Sequence, residues 1–411
     1  MNLMPLFCGA HMNHIASACG IHHDRYSRSH MWLGVVVIVE VALHTILVIL
    51  QGNSLIHNVA GSVASGSVAT IALFSLPVIQ RWMFELFTNL HTLLAIVTLG
   101  ALWLHLPPTP LQEGPRLPLL ISTAVFIAIK LLKLLNILYS NLSVRHKSIA
   151  SIRTLGSGVE IQIRMARPLK FQAGQYIYLS LWGLSTFSAF EFHPFQICWS
   201  FQEERGRQVL ILLAQPRRGF TRKLLGPGLR HEYRAFVEGP YGKPLSLGQY
   251  GTVLLLATGV GIAGQLAYIK ELLKLHAQCD AKIRRIALFW ELDDDVYRLW
   301  VKELMDELLK CDSDHILDMQ IFIRGHFLST TASEGDVEEI GEHGRLTLTY
   351  DSMHPDILVN SEMKKRKGMT LISLCTNPKM ARTVMEIVGK VCERDIHVKV
   401  LDFQPWGAKG R

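Results

Sequence analysis

Hydrophobic and polar positions divide the chain near residue 140. Before that point apolar residues run in long blocks; after it they come in short runs separated by turn signals. Four blocks, roughly 32–50, 58–79, 84–106 and 117–139, approach the ~20 residues that a helix needs to cross a bilayer. Residues 1–20 mix small and apolar side chains and read as the tail of a membrane segment or as an interfacial helix. From 141 the period shortens. HKSIASIRTLGSGVEIQIRMA alternates like two strands around a Gly156–Gly158 turn, and FQAGQYIYLSL, HPFQICWS and VLILLAQPRRGFTRKLLGPG follow. Short strands at close spacing predict a small β-barrel. At 252 the period changes again. TVLLLATGVGIAGQLAYIKELLKL reads as strand, glycine turn and amphipathic helix, IRRIALFWEL as a strand, and VYRLWVKELMDELLK as a helix. This alternation predicts a parallel α/β sheet. The polar, acidic stretch 327–345 reads as a loop. MTLISLCTNPKMARTVMEIVGKV is a last strand, turn and helix, HVKVLDFQPW closes the fold, and GAKGR is a frayed tail. Three domains are expected: a membrane α-helical bundle over 1–140, a β-barrel over 141–246 and an α/β domain over 247–411.

Composition agrees with a membrane segment. The 411 residues are 49% hydrophobic and 18% charged, with mean hydropathy +0.24, too apolar for an ordinary soluble protein of this length. The net charge of +8 is spread out, and no Lys/Arg run is interleaved with aromatics, so nucleic acid is not an expected partner. Seven cysteines without a CxxC argue against zinc and against a disulfide framework, and place the polar part in a reducing compartment. No basic n-region marks a cleavable signal. Arg25 and Arg28 precede the first block, Arg81 follows the second, and Lys130, Lys133, Arg145 and Lys147 surround the end of the fourth. The loop at 51–57 has no Lys or Arg. By the positive-inside rule both ends of the bundle face the cytosol.

Four histidines lie in the apolar half. His30 and His44, like His91 and His105, are 14 residues apart (44 − 30 and 105 − 91). That is just under four helical turns, so each pair shares a helix face, with its members ~21 Å apart along the axis. Two such helices side by side offer an imidazole pair at each of two depths, a natural axial site for haem iron. In the second half, GVGIAG (Gly259, Gly261, Gly264) follows a buried strand and opens a helix, where backbone N–H groups and the helix dipole suit a pyrophosphate. Glu291, ending the next strand, suits the ribose of NADH; Arg284 and Arg285 stand at that strand's start. Gly219 and Thr221 in PRRGFTRKL precede a short helix beside three arginines, and read either as a phosphate turn or as a basic helix start. On the residues alone, HPFQICWS is a strand and Cys375 a buried small hydrophobe at a strand end.

Taken in order, the four-histidine bundle, AGQYIYL, HPF, RRGFT, VEGPYG, GVGIAG, LCTNPKM and a terminal aromatic pair resemble the fungal ferric-chelate reductase family, related to the NADPH oxidases. The resemblance implies a membrane haem bundle followed by a ferredoxin-reductase-like module: a β-barrel FAD domain and an α/β nucleotide-binding domain. It implies NADPH, FAD and two b-type haems as cofactors, and ferric chelates or cupric ion as acceptor across the membrane. His30, His44, His91 and His105 would be the haem ligands. His193, Pro194, Phe195 and Gln196 would bind the flavin, with Gln196 where the family has Ser or Thr. Gly219, Phe220 and Thr221 would cradle its pyrophosphate. Gly239, Pro240, Gly242, Thr258, Gly259, Gly261 and Gly264 would line the nicotinamide-nucleotide site. Cys375 and Pro378 match the family's Cys-Gly-Pro turn, with Thr376-Asn377 in place of the glycine, and Phe403 or Trp406 would stack near the flavin. A multi-pass protein of the plasma membrane is implied, partnered by an iron-uptake permease or oxidase. The family usually has further membrane helices ahead of the first histidine pair, so the resemblance implies either a shortened chain or a gene model that lacks an exon. Two other readings share these motifs: a superoxide-generating NADPH oxidase, and a truncated paralogue that binds haem without transferring electrons.

Overall fold

The long apolar blocks become helices. A computed structural model describes residues 6–7, 23–52, 58–108, 110, 114–155, 158–185, 188, 191–204, 206–216, 219–226, 230–325, 333, 335–340, 344–391 and 395–401. The chain divides into two compact units, Met1–Asn136 and Ile137–Arg411. The expected membrane or interfacial segment at 1–20 lies outside the described residues apart from 6–7.

The first unit holds α1 (His23–Leu50), α2 (Val59–Phe74), α3 (Pro77–Trp82), α4 (Phe84–His105) and most of α5 (Arg116–Asn141). Among the described residues three stretches are long and apolar enough to cross a membrane: Tyr26–Leu50, Leu86–His105 and Arg116–Asn141. The second expected span, 58–79, is corrected. Its helix stops at Phe74 after 16 residues, and a separate short helix starts at Pro77. Proline excludes the helical conformation from the residue before it, and Leu76 is held extended at φ −61°, ψ 135°. Gly, Ala and Ser make up much of α2, so backbones approach closely. Its Ala64 and Ser67 are buried, and it packs along α4. Thr45 Oγ and Ser65 Oγ, 3.2 Å apart, join α1 to α2. Trp103 Nε1 donates to Thr123 Oγ1 at 3.0 Å, joining α4 to α5.

The second unit contains two seven-stranded sheets. The first is antiparallel, in the order β4-β3-β7-β1-β2-β6-β5, from β1 (Ile149–Leu155), β2 (Gly158–Arg164), β3 (Tyr176–Trp182), β4 (His193–Gln196), β5 (Trp199–Gln202), β6 (Gln208–Ala214) and β7 (Glu232–Tyr241). Its two edges are tied through the β4–β5 link: Ile197 N–H donates to Gln175 O at 3.2 Å and Cys198 N–H to Ile211 O at 3.0 Å. The sheet thus curls into a half-barrel around Ile161, Ile163, Leu179, Leu181, Leu210 and Leu212. The run VLILL in β6 does not alternate because both of its faces are covered. Leu210 and Leu212 fill the barrel, while Ile211 and Leu213 belong to the core of the following domain.

That domain is a doubly wound sheet, β11-β12-β10-β9-β8-β13-β14. It comprises β8 (Thr252–Thr258), β9 (Arg285–Leu292), β10 (Leu317–Ile323), β11 (Val337–Ile340), β12 (Leu346–Thr349), β13 (Thr370–Cys375) and β14 (Ile396–Val400). Two expectations are corrected. The acidic stretch 327–345 is not all loop, because β11 lies in it and pairs antiparallel with β12, making the sheet mixed at one edge. The helix expected over VYRLWVKELMDELLK is broken into a 3₁₀ turn, Asp295–Trp300, and a helix, Lys302–Cys311. Asp294 caps the turn through Val296 N–H, and Trp300 swings out to donate to Leu155 O at 2.7 Å. A Cβ at Gly158 would overlap that indole, so glycine is required there for this contact.

Candidate functional site

In the first unit the structure brings the four histidines together in two pairs. His30 on α1 faces His91 on α4, with ring centroids 6.1 Å apart; His44 faces His105 at 6.2 Å. Each pair takes one ring from each helix. Two metal–nitrogen bonds of about 2 Å, with about 1 Å from each nitrogen to its ring centre, span roughly this separation, so one metal atom fits between the rings. Among the described residues, Nδ1 of His30 and of His91 is buried without a hydrogen-bond partner. A buried polar atom left in that state costs about 1–3 kcal/mol, which a bound group reaching it would offset. The donor set, two imidazoles per depth, is that of bis-histidine haem. Asn58 and Gly61 at the start of α2, which periodicity did not single out, stand against His105: Asn58 Oδ1 lies 3.1 Å from His105 Nδ1. A capping signal is present at Asn58, but nothing in the sequence ties it to a residue 47 positions away.

In the second unit the switch point of the doubly wound sheet falls between β8 and β13, the two strands from which the order runs outward in opposite directions. Ligands of such sheets bind beyond the carboxyl ends of the strands at this point. Thr258 and Cys375 end those strands, and Asn377 N–H donates to Thr258 Oγ1 at 2.8 Å, closing the crevice. Asn377 accepts from Met380 N–H through Oδ1 at 2.9 Å, so the Thr376-Asn377 departure places a helix cap ahead of Pro378, the first residue of the last helix. Gly259 has φ +51°, its carbonyl accepts from Trp290 Nε1 at 2.8 Å, and a Cβ on it would meet nothing within 4 Å. The turn is held from one side and open on the other. Gly261 leads into the helix Ile262–Ala277.

Gly264, in the first turn of that helix, is where the two domains of the reductase half converge. A Cβ there would overlap Gln196 Oε1 and stand 3.0 Å from Cys375 Sγ. Gln196, the last residue of β4, and Cys375 therefore meet over this glycine. On the barrel side, the His193 ring stacks on Phe220 at 4.1 Å and 23°. Glu191, absent from the sequence reading, lies 3.8 Å from His193 Nε2 and 3.6 Å from Lys223 Nζ. Burial, and then the Lys223 charge, push the His193 pKa down to about 4. Pro194 sits in β4 opposite Tyr178, Phe195 is buried in the barrel, and Gly219 and Thr221 flank Phe220. Gly239, Pro240 and Gly242 lie at the end of β7 beside Tyr241, whose hydroxyl donates to Glu238 at 2.7 Å. Burial and Glu238 raise the Tyr241 pKa.

The two ribose readings separate. Glu291 ends β9 beside Thr258, at the crevice end of the sheet, and accepts from Met353 N–H at 2.9 Å. Arg285 opens β9 at the opposite end, paired with Glu362 and Asp318, and Arg284 precedes it. Neither arginine is near the crevice. Arg217, Arg218, Phe403 and Trp406 lie outside the described residues.

Barrel and sheet follow a helical bundle of membrane type. Three family models match in tandem: a ferric reductase like transmembrane component over residues 1–102, an FAD-binding domain over 144–245 and a ferric reductase NAD binding domain over 250–389. The chain belongs to the ferric reductase family and is a membrane protein carrying FAD- and NAD-binding domains. It is 26% identical over 320 residues to the probable cell surface ferric reductase kap2 of Aspergillus oryzae, covering 71% of this chain and 42% of that one. It is also similar to two Saccharomyces cerevisiae proteins. One is ferric/cupric reductase transmembrane component 2, at 24% identity over 67% of this chain and 39% of that one. The other is ferric reductase transmembrane component 5, at 26% over 81% and 48%. The chain spans less than half the length of each of these curated relatives.

Proposed function

We propose that this chain is a multi-pass transmembrane metalloreductase of the plasma membrane. It takes electrons from NADPH on the cytosolic side and delivers them to ferric or cupric ion on the opposite side. The observation that carries this reading is the pair of facing imidazoles at each of two depths, in the same chain as a nucleotide crevice. When bound, FAD supplies the exchange of a hydride for single electrons, and haem iron supplies a one-electron couple at each depth.

The chain's own residues do the rest. His30, His91, His44 and His105 hold the two haem irons. His193, stacked on Phe220 and kept neutral by burial, would hold β4 in place from the barrel side together with Phe195, and Pro194, on the strand's other face, would meet the flavin. Gly219, Phe220 and Thr221 receive its pyrophosphate, and Lys223 supplies positive charge. Gly239, Pro240, Gly242, Thr258, Gly259, Gly261 and Gly264 let the nicotinamide nucleotide lie on the backbone at the switch point. Gln196, Cys375 and Pro378 would stand where flavin and nicotinamide meet, and Phe403 or Trp406 is proposed from the family resemblance as the aromatic partner of the flavin. Metal ions reported in the names of the relatives are the reason to propose iron and copper as acceptors. A reduced-minus-oxidised absorbance spectrum of membranes after NADPH addition tests the reading. Reduced b-type haem is expected; haem that stays oxidised with FAD bound would favour the non-catalytic reading instead.

A further inference from the structure

Asn58 stands one residue before α2 and its side chain serves two groups. Its Oδ1 accepts from Gly61 N–H at 3.0 Å, the bond of a helix N-cap. The same oxygen lies 3.1 Å from His105 Nδ1. A carbonyl oxygen only accepts, so the neutral ring carries its proton on Nδ1 and keeps its lone pair on Nε2. The cap bond fixes which end of the amide faces the ring, and so the tautomer follows from a backbone donor. Gly61 makes the approach possible, since a Cβ there would stand 2.9 Å from Nδ1 and Cε1 of the imidazole. The other depth is built differently: among the described residues, Nδ1 of His30 and of His91 is buried with no partner.

We propose that Asn58 is a positioning residue for one haem site only, holding His105 as the Nδ1–H tautomer with Nε2 turned over to the iron. This rests on the haem reading given above. A hydrogen bond on the far nitrogen makes a ligating imidazole more basic. A more basic ligand favours ferric over ferrous iron, so Asn58 lowers the midpoint potential of the His44–His105 site and leaves that of the His30–His91 site alone. The asymmetry between the two sites is thus written into one side chain at a helix start.

The test is a redox titration of the full chain in membranes, with wild type, Asn58→Ser and Asn58→Asp. Serine and aspartate both cap helices. Serine is too short to reach His105, whereas aspartate keeps the reach and adds negative charge. Two haems are expected in all three proteins. Asn58→Ser should raise one midpoint potential, Asn58→Asp should lower the same one, and the other potential should stay in place in both. A role in capping alone would leave all potentials unmoved, and that result with two haems present overturns the proposal, as does a shift of the same sign in both variants. Wild-type protein without haem would instead overturn the proposed function and this inference with it.

Discussion

His193 shows how much a single buried imidazole sets in the barrel domain. Its ring lies flat on Phe220, and burial together with Lys223 depresses its pKa from 6.5 to about 4. The folded reductase half therefore keeps it neutral at pH values where an unfolded chain would protonate it. Its contribution to stability is fully present above pH 6.5 and is lost as pH falls from 6.5 toward about 4. The loss is on the order of 3 kcal/mol at most. Thermal unfolding of the solubilised protein across this window should show the decline, and His193→Gln should flatten it; an equally steep decline in the variant would reject the assignment. The pairing of the four histidines was legible in the sequence. The equal histidine spacings stated two pairs, and the pairs stand 6.1 and 6.2 Å apart. What the sequence did not disclose are contacts between segments far apart in the chain. The crowding of Gln196 and Cys375 over Gly264 depends on how β4, β13 and the helix after β8 converge. The meeting of Asn58 with His105 depends on α2 packing along α4.

Elements were legible where one period ran unbroken and illegible where a local bond overrode it. The strands after 252 matched their patterns best at the centre of the sheet, where β8, β9 and β13 are buried on both faces. Three departures have local causes: Pro77 cut the second apolar block, Asp294 and Trp300 broke a helix, and an edge strand formed in an acidic stretch whose side chains point to solvent. The end of α5 adds a contact that no pattern announces. Asn141 is buried, donates through Nδ2 to Val237 O at 2.6 Å and accepts through Oδ1 from Val237 N–H at 2.8 Å. It also donates to Ile137 O at 2.8 Å. One side chain thus satisfies both backbone groups of a residue in β7 and a carbonyl near the helix end. Asn141→Ala would remove the side-chain partner of both Val237 backbone groups, at about 1–3 kcal/mol for each that water does not reach. A drop in unfolding temperature, with the absorbance of bound flavin lost early in the transition, is the expected result; an unchanged transition would mean that the contact is not maintained in the membrane.

At the scale of the whole molecule, the proposed electron path runs from one side of the bilayer to the other. The positive-inside rule applied to the basic residues at 25–28, 81 and 130–147 assigns both ends of the bundle to the cytosolic side. The histidines of each helix are ~21 Å apart along the axis. On the proposed function, donor and acceptor would then lie on opposite sides of the bilayer. Sealed vesicles of known orientation, given NADPH on one face and an impermeant ferric chelate on the other, test this most directly. The account predicts that the chelate is reduced when NADPH is on the face bearing the reductase half and the chelate is on the opposite face. Reduction only when both are on the same face would contradict it.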